Sequence, residues 1–414
     1  AYSKALGNNE YYEQVLKVIT LLDKPEIKAE RLGDESWYEI DDVQDLNIAE
    51  SIFASKEEKL NKFNRRFGGY WRYPKLIDFC YLVNPFYPNQ KLMDEIKANF
   101  ERLLCDYPSG MEINSLLGAK YYGLHKEQVC VGNGAAELIK SLMESHEGKV
   151  GMIYPTFEEY PHRKKAEDIV PYWIESKDFR YSAEDLMNFY EDKDIQFLVL
   201  INPDNPSGNY IEREDVLRVA KWAEDKGIRF VVDESFVDFA DTEGSSTLLE
   251  EEIIKEYRSL IVVKSISKSF GVPGLRLGIL ASNDLQLIAD IKKDVAIWNI
   301  NSFAEFYLQI FEKYKSNYEE AMQKFKDVRR EYVKMLEEVP YLRVIPSQAN
   351  YLMCELTGEM TSRELAEELL NDYSILIKDL SNKNGFGGKS YIRVAVKRPE
   401  ENKKLIEAMK KVLR

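Results

Sequence analysis

Ser265-Ile266-Ser267-Lys268-Ser269-Phe270-Gly271-Val272-Pro273-Gly274-Leu275-Arg276-Leu277-Gly278 follows directly on the apolar run Leu260–Val263. A strand that delivers a lysine into a turn rich in serine and glycine sets an amine at the end of a sheet. An arginine waits on the far side of the turn. A lysine can form an imine with an aldehyde, and the Ser265 hydroxyl and the Arg276 guanidinium can hold a phosphate. The stretch suits a covalently held, phosphorylated aldehyde cofactor. Alone, it is also what a surface lysine in a flexible loop looks like.

The pattern of strand and turn repeats outward from this point. Gln128–Gly132, Val150–Tyr154, Phe197–Asn202, Phe230–Asp233, Leu260–Val263 and Leu277–Ala281 are short β-rich runs, and helical patterns such as Ala135–Ser145 and Arg213–Lys226 follow several of them. That alternation predicts an α/β fold, a mostly parallel sheet covered by helices on both faces. Its crossovers are right-handed and its ligand sits beyond the carboxyl ends of the strands. Gly134, Asn205, Asp233 and Lys268 all lie just after such ends. A long helical stretch, Ser302 to Glu338, leads into a smaller α+β unit. Its expected strands are Leu342–Ile345, Tyr351–Glu355, Ile375–Lys378 and Tyr391–Val396, with a glycine-rich loop, Asn384–Gly388, before the last. At the other end, Asn9–Leu22 reads as a helix, followed by Trp37-Tyr38-Glu39-Ile40-Asp41-Asp42 and a helix through Ala49 and Glu50. The charged stretch Lys56–Arg66 reads as a link to the rest. The expected domains are a separate N-terminal piece (1–58), an arm contributing to the substrate site (59–95), a large cofactor domain (96–305) and a small C-terminal α+β domain (306–414).

With 414 residues the chain can bury a large core. Its net charge of −14, spread among interspersed basic residues, argues against nucleic acid or a membrane surface as partner. An anionic substrate would need a local cluster of cations. Cys80, Cys105, Cys130 and Cys354 are scattered, with no CxxC pair, as reduced thiols of a cytoplasmic protein are. His125, His146 and His162 lack metal-ligand spacing, so no metal is expected. Ala1-Tyr2-Ser3-Lys4 has no signal-peptide pattern, and no apolar run is long enough to span a bilayer.

Three further motifs share the strand ends. Gly132-Asn133-Gly134-Ala135-Ala136-Glu137 opens a helix with free amides beside small residues, an anion seat or simply a glycine-rich turn. Asp233, closing Val231-Val232-Asp233, could pair with a protonated pyridine nitrogen, or could cap a helix. Asn205, in Asn202-Pro203-Asp204-Asn205-Pro206-Ser207-Gly208, could donate to a ring oxygen, or could serve the turn alone.

In this order the motifs resemble the fold-type I pyridoxal-phosphate enzymes of the class I/II aminotransferase family, over roughly residues 64–414. The resemblance implies a role for each matching residue. Lys268 is the Schiff-base lysine that carries the proton. Asp233 pairs with the pyridine nitrogen, and Asn205 bonds the ring hydroxyl. Gly134, Ala135, Ser265 and Arg276 hold the phosphate, with Ala136 and Ser267 in the same cofactor site. Phe157 stacks on the ring, and Arg393 takes the substrate carboxylate. Tyr107, in Tyr107-Pro108, reaches the phosphate of a neighbouring subunit, which implies a homodimer. Ile77-Asp78-Phe79, Asn84-Pro85, Ser347 with Ala349-Asn350 and Arg393-Val394-Ala395-Val396 are similar to the histidinol-phosphate aminotransferase and threonine-phosphate decarboxylase branch. Phe157 and Phe236, where aminotransferases usually carry tyrosine, lean towards the decarboxylases, as do Ile377–Asn382 and Arg398–Asn402. Phe67 stands where the decarboxylases carry a phosphate-binding histidine before Gly68-Gly69.

The substrate is expected to be a small phosphorylated amino acid or amine. Arg65, Arg66, Tyr70 and Arg72 beside Gly68-Gly69 would clamp its phosphate or phosphonate, and Asn84 would join Arg393 in substrate binding. The reaction is transamination or decarboxylation, according to which bond at the α-carbon stands perpendicular to the ring. Trp37–Asp42, with Asp45-Leu46 and Ala49-Glu50, resembles the closing segment of small-molecule nucleotidyltransferases such as choline-phosphate cytidylyltransferase, implying a fused protein. A reading of another class, a catalytically silent scaffold with this fold, is answered by Lys268 and Asp233, the residues that loss of activity usually removes.

Overall fold

Thirteen segments of extended chain organise the larger part of the computed structural model, which describes residues 12–23, 28, 30, 31, 33, 37–242 and 244–414. Ala1–Lys4 and the first residues of the helix expected from Asn9 lie outside the described residues. The chain divides into two units, Ala1–Ala54 and Ser55–Arg414.

In the first unit, helices span Tyr12–Asp23 and Val43–Ile52. Asp42 caps the second by accepting from the backbone N–H groups of Gln44 at 2.7 Å and Asp45 at 2.8 Å.

In the second unit the strands are β1 (Ile77–Asp78), β2 (Val129–Asn133), β3 (Val150–Tyr154), β4 (Ile169–Trp173), β5 (Phe197–Ile201), β6 (Arg229–Asp233), β7 (Leu260–Ser265), β8 (Leu277–Ser282), β9 (Leu342–Val344), β10 (Tyr351–Leu356), β11 (Ile375–Leu376), β12 (Lys378–Asp379) and β13 (Tyr391–Ala395). A seven-stranded sheet runs β2-β8-β7-β6-β5-β3-β4, with β8 antiparallel to both its neighbours and the remaining pairs parallel. This is the α/β architecture the alternation predicts. Its central strands are apolar almost without interruption because both faces are covered. Val199, Val231 and Ile261 pack towards Leu138, Leu142, Leu287 and Ile291 on one face, while Leu198, Leu200, Phe230 and Val232 join Val219 and Ala223 on the other. A second, antiparallel sheet runs β12-β13-β10-β9, and β1 pairs in parallel with β11.

Four details differ from expectation. β4 holds Pro171 and was not legible as a strand; it lies at the sheet edge, where a missing N–H is tolerated. The stretch from Ser302 is two helices, Ser302–Ile310 and Lys315–Glu337, joined by a 3-10 turn that buries Phe311 and Tyr314. Residues three apart line up in such a turn, which suits that pair. The run Ile375–Lys378 splits between two sheets. Lys56–Arg66 is a helix of the second unit rather than a link, capped by Ser55 and with Leu60 and Phe63 buried.

Candidate active site

The carboxyl ends of β2, β5, β6 and β7 bring Gly134, Asn205, Asp233 and Lys268 to one edge of the seven-stranded sheet. After β2 the chain turns at Gly134, φ 76°, whose N–H donates to the carbonyls of Gly132 at 2.8 Å and Arg276 at 2.9 Å. The helix Ala135–Glu144 starts there and points its free amides into the turn. A Cβ on Gly134 would stand 2.5 Å from Arg276 Nη2, so this glycine lets the guanidinium lie against the turn. Arg276 itself adopts φ 57°. Ala135, Ala136, Ser265 and Ser267 complete the neighbourhood, and the Ser267 hydroxyl is buried with no hydrogen-bond partner.

Asp233 is buried, 3% exposed, at the end of β6. Its Oδ1 accepts from the Ser235 N–H at 2.9 Å and its Oδ2 from the Tyr160 hydroxyl at 3.0 Å. Burial pushes the carboxyl above the ordinary range, while the Ser235 and Tyr160 hydrogen bonds and the Lys268 charge pull it back. Next to it, the Ser265 N–H donates to Ser235 Oγ at 3.1 Å and ties the ends of β6 and β7 together. Lys268 follows on a short helix, Ile266–Ser269, and its carbonyl accepts from the N–H groups of Asn84 at 3.0 Å and Gly271 at 3.2 Å. Burial lowers the Lys268 amine to about 8, Arg393 and Arg276 push it the same way, and Asp233 opposes them. A substantial fraction of this amine is therefore neutral, and nucleophilic, near neutral pH.

Arg393 comes from β13 of the other sheet. Its Nη1 donates to Asn205 Oδ1 at 2.7 Å and its Nη2 to the Cys80 carbonyl at 3.2 Å, while its Nε is buried without a partner. The guanidinium lies 5.3 Å from the centre of the Tyr351 ring. The Tyr351 hydroxyl donates to the Asp204 carbonyl, and the Asp204 carboxyl, pushed up to about 6 by burial, accepts from Ser207 and Tyr181. With its oxygen taken by Arg393, Asn205 keeps its Nδ2 as a donor.

Asn84, expected at the substrate, spends its side chain on the polypeptide: Nδ2 donates to the Ser269 carbonyl at 2.9 Å and Oδ1 accepts from the Phe86 N–H at 2.9 Å. It braces the segment that carries Lys268. Arg66 ends the helix Lys56–Arg66 and lies 5.3 Å from the Tyr73 ring centre, and Arg72 lies 4.3 Å from that of Trp71. Within this arm it is Tyr70 that packs at a tilt against Tyr81, 5.4 Å away, next to Cys80 and hence to Arg393. Phe157 is partly exposed at the sheet edge. Tyr107 is 80% exposed and packs on Trp298 at 4.6 Å.

Three participants were missed. Tyr160, three residues after Phe157, bears on Asp233. Tyr351 supports Arg393. Lys383, next to the glycine-rich loop, donates to the Thr156 carbonyl at 2.6 Å and to Glu158 at 2.7 Å, fastening that loop over the segment that carries Phe157. Only the loop glycines hinted at this: a Cβ on Gly385 would lie 3.1 Å from the Pro155 nitrogen.

A phosphorylated pyridine aldehyde fits this donor set. It matches the helix-start turn with Arg276, the unpartnered Ser267 hydroxyl, the buried carboxylate opposite a buried amine, and the unpartnered Arg393 Nε. Among the described residues no group of three or more His, Cys, Asp or Glu could hold a metal ion, and no helix is long and apolar enough to cross a membrane.

The sequence profile of aminotransferase class I and II matches residues 112–409, and the chain belongs to that family. The chain shares its fold with a solved histidinol-phosphate aminotransferase from Sinorhizobium meliloti in complex with pyridoxal-5'-phosphate, with a TM-score of 0.70 at 18% identity over 89% of this chain and 96% of the other. It is 31% identical over 382 residues to a CMP-5'-(3-aminopropyl)phosphonate synthase of Streptomyces rubellomurinus, covering 92% of this chain; the chain spans 60% of that relative's length. It is 31% identical over 350 residues to an L-serine phosphate decarboxylase of Sulfurospirillum multivorans, covering 82% of this chain and 88% of the relative. The solved structure of a decarboxylase from Sulfurospirillum multivorans superposes with a TM-score of 0.76 at 28% identity, over 87% of this chain and 99% of the other.

Proposed function

We propose that this enzyme removes the carboxylate from a small α-amino acid that also carries a phosphate or phosphonate. One observation carries the reading: a buried amine, Lys268, lowered to about 8, feels the charges of a buried carboxylate, Asp233, and of an arginine, Arg393, that has one guanidinium nitrogen unclaimed. When bound, pyridoxal phosphate supplies an aldehyde that joins amines covalently and a ring that accepts the electron pair released when a bond at the α-carbon breaks. Gly134, Ala135, Ala136, Ser265, Ser267 and Arg276 would hold its phosphate end. Asp233 would hold the proton of its ring nitrogen, Asn205 Nδ2 would donate to its ring oxygen, and Phe157 would cover one ring face. Lys268 Nζ would bind the aldehyde carbon, yield it to the substrate amine and then move a proton at the reacting carbon. Arg393 would orient the substrate carboxylate.

Decarboxylation is favoured by the L-serine phosphate and putative threonine-phosphate decarboxylases among the relatives. Phe236 supports it, an apolar ring beside Asp233 that packs edge-on against Tyr351 at 5.1 Å. Transamination is the second reading, favoured by the histidinol-phosphate aminotransferases among them. The phosphate would be met from the arm that carries Arg65, Arg66, Tyr70 and Arg72. The test is incubation with O-phosphoserine, O-phosphothreonine, an aminoalkyl phosphonate acid and histidinol phosphate. Carbon dioxide without keto product is the expected result; keto product without carbon dioxide would turn the assignment to transamination.

The proposal extends to assembly. Tyr107 would complete the cofactor phosphate site of a second copy in a homodimer. Exposed Phe100, Leu104, Tyr107, Ile113, Leu116 and Trp298 support this as an apolar face. Residues 1–58 would be the closing segment of a nucleotidyltransferase within a fused protein. The relative whose name joins a cytidine nucleotide to an aminoalkyl phosphonate supports that reading, as do exposed Trp37, Ile40 and Val43. A cytoplasmic setting goes with four free thiols.

A further inference from the structure

Tyr160 is among the largest wholly buried side chains of the chain. It follows β3 and precedes the 3-10 turn Pro161–Arg163. A tyrosine serving only as apolar filling leaves its hydroxyl a burden, since a buried hydroxyl without a partner is costly. Here the hydroxyl reaches Asp233 Oδ2 at 3.0 Å, on the oxygen that the Ser235 N–H, bound to Oδ1 at 2.9 Å, leaves open. The two donors grip the carboxylate by both oxygens and fix the plane in which its remaining lone pairs lie.

We infer that Tyr160 is a positioning residue for the reaction: it aims the Asp233 carboxylate and keeps it ionised, so that the proton shared with the cofactor's ring nitrogen stays on the nitrogen. The inference rests on the reading that Asp233 faces that nitrogen. Burial alone favours the neutral acid, and an acid that keeps its proton leaves the ring a poor electron sink. Hydrogen bonds donated to the charged form oppose this. The Ser235 N–H is fixed by the backbone, so the phenol, with the Ser235 hydroxyl that also lowers the carboxyl, is what the sequence can adjust. The phenol does not surrender its own proton: burial and the Asp233 charge hold it well above the ordinary tyrosine range.

The test loads the enzyme with cofactor carrying nitrogen-15 in the ring. In the unaltered enzyme the nitrogen resonance should lie in the protonated range. In Tyr160→Phe it should move towards the unprotonated range. Cofactor release should quicken and kcat should fall, each by about ten- to a hundredfold, as loss of a charge-assisted hydrogen bond predicts, while KM stays within about twofold. An unmoved resonance with an unchanged release rate in Tyr160→Phe overturns the inference and leaves Asp233 its role. An unprotonated nitrogen in the unaltered enzyme removes the Asp233 reading as well, so the two failures are distinguishable. Should the phenylalanine variant not fold, 3-fluorotyrosine in place of Tyr160 retains the hydroxyl. Its fluorine resonance should shift on cofactor loading and stay in place when Asp233→Ala protein is loaded; a shift in both backgrounds, or in neither, overturns the inference.

Discussion

A lysine lowered from the ordinary 10.5 to about 8 changes what the cofactor-free protein can do. At pH 7 the neutral fraction of such an amine is about 300-fold larger than for an unperturbed lysine. Cofactor uptake should therefore rise about tenfold per pH unit up to about 8 and then level off, followed by absorbance after rapid mixing. A rise continuing towards 10.5 would mean that Lys268 is not buried as described. The same shift acts on stability. Between 8 and 10.5 the folded amine is neutral and the unfolded one charged, so unfolding takes up a proton and the cofactor-free protein gains stability as pH rises through that window. Lys268→Ala protein should fold yet retain no cofactor through borohydride reduction; a reduced adduct on another lysine would remove the assignment. Asp233→Asn should still take up cofactor while losing about 3–5 kcal/mol of transition-state stabilisation, the usual cost of removing a preorganised charge partner. Steady-state turnover within a few-fold of normal would reduce Asp233 to a local structural role.

Between strand and helix, a single turn decides whether Lys268 reaches its place. Gly271 has φ 66°, and a Cβ there would meet the Tyr87 carbonyl oxygen at 1.8 Å, a backbone atom that cannot swing aside. Gly271→Ala should lower stability by at least about 2 kcal/mol, combining left-handed strain with a forced shift of the chain. Denaturant unfolding measures it, and a neutral result would show that the residue 84–87 loop gives way freely. The glycine was visible in the sequence, but its neighbour was not, because Tyr87 is remote along the chain. That contrast runs through the fold. Apolar runs closed by Asp233 and Lys268 were legible because local burial demands and turn chemistry both write themselves into neighbouring residues. β4 was hidden by Pro171, since only its place at the edge excuses a proline. The break at Phe311–Tyr314 was hidden because helix and 3-10 turn share almost the same residue preferences. Within the site, side chains ending a strand could be read directly. Tyr160, Tyr351 and Lys383 act on partners far away in the chain, and Asn84, read as a ligand, is held by Ser269 across the same kind of distance.

At the level of the whole molecule, the proposed dimer makes a prediction no single site could. If Tyr107 serves the opposite copy, mixed dimers of Tyr107→Phe and Lys268→Ala chains should contain one site with both lesions and one with neither. Each mixed dimer should regain about half the activity of the unaltered dimer, and a random equal mixture, in which about half the dimers are mixed, about a quarter, by the counting rule for a two-fold assembly. Mixed dimers with no site restored would keep Tyr107 within its own chain. The two sheets of the second unit also meet in a way that bears on selection. Arg393, on one sheet, already gives its Nη1 to the side-chain amide of Asn205, beyond the other, while its Nε stays unclaimed. An incoming molecule that takes only the free Nε fills a vacancy, but one that grips two guanidinium nitrogens through Nη1 must also outbid an amide. A ligand presenting another amide merely exchanges like for like, whereas a carboxylate brings charge and a bidentate geometry that the resident cannot offer. The protein thus carries its own competitor, and what reaches Arg393 is weighed against it.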